Sequence, residues 1–62
     1  MTYNIEISLR DTILAFECIR DSRVKCEQIA SNVWSTNDEE IRDEILEICH
    51  INKIEHLVVI NF

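Results

Sequence analysis

Glycine and proline are both missing from the 62 residues. Walker-type and dinucleotide-binding loops need glycine to let the backbone close on phosphate, so neither is present. Tight hairpin turns usually draw on glycine for positive φ, whereas long helices need neither residue. Long apolar runs are also lacking. Leu57–Ile60 falls far short of the ~20 residues that span a bilayer, so no membrane partner is expected. Met1–Glu6 has neither the basic start nor the apolar stretch of a signal peptide. Three cysteines, an odd count with no paired spacing, make no disulfide framework. The chain reads as cytosolic. Basic residues are scarce as well: six stand against twelve acids, for a net charge of −6. Residues 1–37 carry four basic and five acidic side chains and residues 38–62 carry two and seven, so the excess lies in the second part. A chain so charged repels phosphate backbones, which argues against direct binding of DNA or RNA.

What is present is aliphatic and organised about one joint. A chain of this length forms a single domain, 1–62, that buries only about 60% of its unfolded surface. Ordering it costs roughly 1.5 kcal/mol per residue. The apolar fraction of 47% exceeds what a two-helix hairpin hides, so a homodimer is expected. Trp34-Ser35-Thr36-Asn37-Asp38-Glu39-Glu40 separates two aliphatic stretches. Thr36 followed by Glu39 fits a capping box, as does Asn37 with Glu40 one residue later. Asp38, Glu39 and Glu40 then place negative charge at the positive end of a helix dipole.

Thr2–Leu9 alternates Tyr3, Ile5, Ile7 and Leu9 with polar residues, the period of a half-buried strand, and Ser8 with Asp11 can cap the segment after it. From Leu9 to Trp34 the period turns helical. Leu9, Ile13 and Phe16 step by four and three, and Ile5, Thr12, Ile19, Cys26 and Val33 form a seven-residue ladder. Asp38–Lys53 places Ile41, Ile45, Ile48 and Ile51 on one face, with Arg42, Asp43 and Glu47 solvated. Beyond Ile54, Glu55–Phe62 is a short apolar, β-branched run with no helical period, either a last helical turn or a closing strand. A hairpin brings the two ends together, so the terminal strands lie antiparallel if both form. The expected fold is mainly α: an antiparallel hairpin of Leu9–Trp34 against Asp38–Lys53, pairing with a second copy as four helices, with short extended ends.

The candidate sites are few. Cys18, Cys26, Cys49, His50 and His56 are the soft ligands, and none has the close paired spacing of a zinc site. They read as buried thiols, with a small metal- or redox-responsive module as the alternative. No cofactor is implied. Asp43 and Glu47, four apart, read as a solvated face rather than an acid–base pair, and the chain is expected not to be an enzyme. The acid cluster Asp38, Glu39, Glu40, Asp43, Glu44 and Glu47, with Trp34 beside it, is the candidate partner-binding surface. Capping and solubility by themselves account for the acids, and packing on Ile41 accounts for Trp34.

From Met1-Thr2-Tyr3-Asn4-Ile5-Glu6-Ile7-Ser8-Leu9-Arg10 through His50-Ile51-Asn52-Lys53-Ile54, the chain resembles the small early proteins of the lambdoid phage exo–xis region. The resemblance runs over the whole chain and rests on no signature motif, so it assigns no residue a role. It implies a non-enzymatic early accessory factor in a bacterial cytoplasm, associated with host cell cycle, replication and the choice of lysis over lysogeny. The expected function is protein–protein interaction with a host or phage regulator through the acidic surface. A nucleic-acid mimic that blocks a DNA-binding protein is a special case.

Overall fold

The computed structural model describes all 62 residues. Strand β1 (Thr2–Ile7) is followed by a short 3-10 turn (Leu9–Asp11) and helix α1 (Thr12–Asp21). Strands β2 (Glu27–Ala30) and β3 (Val33–Thr36), helix α2 (Glu39–Ile51) and strand β4 (His56–Asn61) complete the chain. The four strands form one antiparallel sheet in the order β2-β3-β1-β4. This β-α-β-β-α-β connectivity is that of a split β-α-β, or ferredoxin-like, arrangement. The expectation of a mainly α hairpin is therefore overturned, and with it the packing of two hairpins as four helices: the molecule is α+β.

β1 sits inside the sheet because its alternation is clean. Tyr3, Ile5 and Ile7 are buried on one face, while Glu6 is exposed on the other. β4 pairs with it from Ile7↔His56 to Thr2↔Asn61, so the two terminal segments lie side by side and antiparallel. β3 covers the other edge of β1, with Ile5 opposite Trp34 and Tyr3 opposite Thr36. The helices supply the second layer: Ala15 and Ile19 from α1 and Ile45 and Cys49 from α2 close the core with Trp34 and Ile54.

The long helix expected over Leu9–Trp34 stops at Asp21. Leu9 lies exposed in the 3-10 turn, and Ser8 offers no side-chain cap. Thr12 Oγ1 instead bonds back to the Leu9 carbonyl at 2.9 Å. Beyond Asp21, Arg23 adopts φ 56° and turns the chain out of the helix. The seven-residue ladder is real as spacing, but its members fall on different elements: Ile5 and Val33 on strands, Thr12 and Ile19 on α1. The physical reason is edge satisfaction. A two-stranded ribbon of β1 and β4 is marginal in water, and residues 27–36, rich in β-branched and aromatic side chains, pair with the free side of β1.

That hairpin forms without glycine. Neither Ser31 nor Asn32 in its turn has positive φ, which excludes the favoured type I′ turn. Ile29 is left over where the register shifts between Gln28 and Ala30, a bulge that adds local twist. Asn32 locks the turn onto β1: the Ile7 N–H donates to its carbonyl at 2.7 Å, and its amide donates to the Ile7 carbonyl at 3.0 Å.

α2 ends in a full Schellman motif. The Lys53 N–H donates to the His50 carbonyl at 3.2 Å and the Ile54 N–H to the Cys49 carbonyl at 2.8 Å. Ile54 and Cys49, the residues joined by the second of these bonds, are both buried. Lys53 holds the left-handed position at φ 54°, where a Cβ is unfavourable. Lys53→Gly is expected to raise stability by about 0.5–1 kcal/mol, since relief of that strain exceeds the added freedom of the unfolded chain. A thermal melt reads this as a rise of several degrees, and Lys53→Val should move the midpoint the other way.

Ile45 is fully buried, whereas Ile48 is half-buried and Asp43 exposed. Ile45→Ala should cost about 2–5 kcal/mol, Ile48→Ala less, and Asp43→Ala close to nothing. Urea denaturation of the three variants checks the order; equal shifts would contradict this facing of α2.

Candidate functional site

The acid cluster is positioned by the start of α2. Thr36, buried at the end of β3, is not the cap expected of it. Its Oγ1 accepts the Asp38 N–H at 3.1 Å and so fixes the approach of the chain. Asp38 is the cap, its Oδ1 accepting the N–H groups of Glu40 at 2.8 Å and Ile41 at 3.3 Å. Glu39 and Glu40 follow in the first turn, where the dipole favours them.

The six acids divide by what they touch. Tyr3 Oη donates to Glu39 Oε1 at 3.2 Å, and the Arg42 guanidinium lies 4.6 Å above the Tyr3 ring. Arg42 also meets Asp43 at 2.9 Å. Desolvation, then the Glu39 carboxylate, raises the Tyr3 pKa. The hydrogen bond to Asp43 is the main cause raising that of Arg42. Asp38, Glu39 and Asp43 are thus engaged within the fold. Glu40, Glu44 and Glu47 are exposed, and no salt bridge or hydrogen bond reaches their carboxylates.

These three stand four and three apart, one row about 10 Å long on the outer side of α2. The row continues to Ile51, which is 67% exposed rather than in the core where its spacing placed it. Glu44 and Glu47 line a shallow groove of about 190 Å³ with half-buried Val24 and Ile48 and exposed Ile51. That volume is below the range of small-molecule pockets. The groove suits one or two apolar side chains of a partner flanked by positive charge.

Trp34 is placed elsewhere. It is 3% exposed, inside the core opposite Ile5, and so offers no anchor at the surface. Trp34 and Thr36 are buried while Val33 and Ser35 are half-buried, an alternation that the residue types, two apolar followed by two polar, do not spell out. Sequence reasoning also missed Val24, which it placed within a long helix; only the turn after α1 brings Val24 beside α2.

The thiols and imidazoles form no site. No three His, Cys, Asp or Glu side chains gather closely enough to hold a metal ion. Cys49 is buried, and burial, then the neighbouring Cys18, pushes its thiol from 9.0 up to about 11. Burial raises Cys26 too. Neither is poised as a thiolate nucleophile. His50 is exposed, and the His56 ring Nδ1 lies 2.8 Å from the Ile54 carbonyl. A wider depression of about 590 Å³ lies among Thr2, Lys25, Cys26, Glu27, Ser35, Thr36 and Asn37. Its charges are of both signs and its thiol is protonated at neutral pH, so it gathers no reactive group.

The face of the sheet away from the helices carries Asn4, Glu6, Val33, Ser35, Leu57 and Val59. Sheets of this connectivity that read RNA stack bases on aromatic side chains there. Here Tyr3 and Trp34 both face the core, and Glu6 adds negative charge. No helix is long and apolar enough to cross a membrane. The fold and the surface together define a small acidic α+β domain. No protein-family model, curated protein or solved structure matches the chain.

The raised Cys49 and Tyr3 values predict alkaline sensitivity with a definite sign. Each folded-state value lies above the unfolded one, so the stabilisation is complete below about pH 9 and is lost as pH rises, for Cys49 through about 11. Urea midpoints should be flat from pH 7 to 8.5 and fall above pH 9, with Cys49 contributing about 2 kcal/mol by the upper limit. Cys49→Ala should be less stable at neutral pH but lose less on alkalinisation; an equally steep loss would contradict the assignment.

Proposed function

We propose that this protein is a non-enzymatic interaction factor that docks through the outer face of α2 onto a basic, partly apolar segment of another protein. The observation that carries this is the row Glu40, Glu44 and Glu47, unpaired within the fold and running beside the groove of Val24, Ile48 and Ile51. Solubility alone asks only for scattered charge. A row of one sign lying beside apolar side chains is a two-part surface, in which charge steers a partner and apolar contact holds it. The protonated thiols and the lack of a ligand cluster favour this over a redox or metal-responsive module.

The resemblance to small early proteins of the lambdoid exo–xis region supplies the setting. It points to an accessory factor in the bacterial cytoplasm, acting on a host or phage regulator that biases replication, the cell cycle and lysis over lysogeny. Mimicry of nucleic acid is the lesser reading. The row covers about 10 Å, only about three phosphate steps at 3.4 Å each, and Glu39 and Asp43 beside it are already partnered.

The test is capture from bacterial lysate on wild type and on Glu44→Lys/Glu47→Lys, with Asp43→Ala as a control. The wild type and the control should retain the same partner, less of it as salt rises, and the reversed variant should lose it while melting within a few degrees of wild type. A partner held equally by all three moves the site off α2.

A further inference from the structure

The two edges of the sheet are built differently. β2 is four residues long, interrupted by the bulge at Ile29, and has Lys25 and Glu27 at its entry. Shortness, a bulge and charge are the usual means of blunting an edge. β4 has none of them. It runs six residues in unbroken register with β1 and contains neither lysine nor proline. An antiparallel edge turns the N–H and C=O of every second residue outward, so β4 presents a row of backbone groups without partners in the chain. No charged side chain occurs from Leu57 to Phe62. Both faces are apolar and open there: Leu57, on the face away from the helices, is 63% exposed, and Ile60, on the helix side, 45%.

We propose that β4 is a self-association surface, along which two copies pair antiparallel to join their sheets. A two-fold axis normal to the sheet keeps like faces together only when paired positions share parity. An axis through Val58 satisfies this. Val58 then meets its own counterpart, Leu57 meets Val59 of the second copy, and Ile60 meets His56.

Charge selects the second copy as the occupant. At net −6 the chain repels itself over most of its surface. Along β4 the nearest acid on the open face is Glu6 of β1, opposite Leu57. Two such carboxylates would stand three strand spacings apart, about 14 Å, beyond the screening length of about 8 Å in physiological salt. Glu55, at the entry to the strand, is paired with Arg10 at 3.2 Å. A basic peptide finds no acid row on this edge, whereas an uncharged apolar strand finds its match, and the chain carries one. Because β2 is blunted, the assembly closes at two copies. The surface is separate from the acidic row of α2, and neither proposal depends on the other.

Sedimentation equilibrium combined with amide hydrogen exchange tests it. The wild type should approach twice 7.3 kDa at concentrations on the order of tens of micromolar, the range of small interfaces. The outward amides of β4 should gain protection over the same range. Leu57→Lys/Ile60→Lys should remain at monomer mass with an unchanged far-UV spectrum. Ile13→Lys/Phe16→Lys, on the exposed stripe of α1, should dimerise as the wild type does. A wild type that stays monomeric into the hundreds of micromolar overturns the proposal. So does a dimer lost in the α1 variant and kept in the β4 variant, or a mass beyond the dimer. If the β4 variant unfolds, wild-type exchange decides: β4 amides whose protection is independent of concentration overturn the proposal.

Discussion

Pairing along both edges of β1 is the constraint on which the rest depends. With β3 on one side and β4 on the other, its backbone groups are satisfied within the sheet, and Tyr3, Ile5 and Ile7 are free to form the floor of the core. Ile45 and Cys49 of α2 and Ala15 and Ile19 of α1 seal that floor from above. A chain of this size has little burial to spare, so the loss of either neighbouring strand would leave polar backbone beside apolar side chains that no longer have cover. The junctions reinforce the arrangement. The Ser8 N–H donates to the Glu55 carbonyl at 2.9 Å, and the Glu55 N–H donates to Asp11 Oδ2 at 3.2 Å, tying the entry of β4 to the exit of β1.

A sheet with two helices is normally punctuated by glycine, and this one is not. The left-handed positions after both helices are filled by Arg23 and Lys53. Long flexible side chains tolerate the region poorly but can remain in water there. The β2–β3 turn avoids positive φ by shifting its register at Ile29. Strain is thus confined to two exposed residues, Arg23 and Lys53. The N–H of each donates back to its helix, Arg23 to the Arg20 carbonyl at 3.1 Å and Lys53 to the His50 carbonyl at 3.2 Å, and the bonds of Asn32 to Ile7 hold the β2–β3 turn.

The acidic residues of α2 serve two ends on one helix. Asp38 begins the helix, Glu39 accepts from Tyr3 and together with Arg42 above the Tyr3 ring fastens α2 to β1, and Asp43 pairs with its neighbour Arg42 on the same helix. Glu40, Glu44 and Glu47 look outward. The apolar surplus divides in the same way: part of it forms the core, and part lies on the α1 stripe, the Ile51 end of α2 and the β4 edge. Exposed apolar surface therefore adjoins the acidic row at the Ile51 end of α2 and stands free of charged side chains along β4, so a strongly acidic chain presents more than one contact surface.

Much of this was written locally. The alternation of Thr2–Ile7, the extent of α2 and the exposure of its acids follow from short-range period and capping chemistry, whereas the closeness of the two ends was expected from a helical hairpin that does not form and comes instead from the pairing of β4 with β1. The charge imbalance, readable by counting, already pointed to the outer side of α2. The division of residues 9–36 was not legible. Leu9, Ile13 and Phe16 keep a helical step and yet lie exposed, while Trp34, read as the rim of an acidic surface, fills the centre of the core. Val24 joined the groove only because the chain turns at Arg23. Local period reports which neighbours share a face, not which distant segment will cover it. That choice was made by the open edge of β1, which a strand nearly thirty residues away in the sequence could satisfy and a helix could not, because only a strand offers its backbone groups sideways.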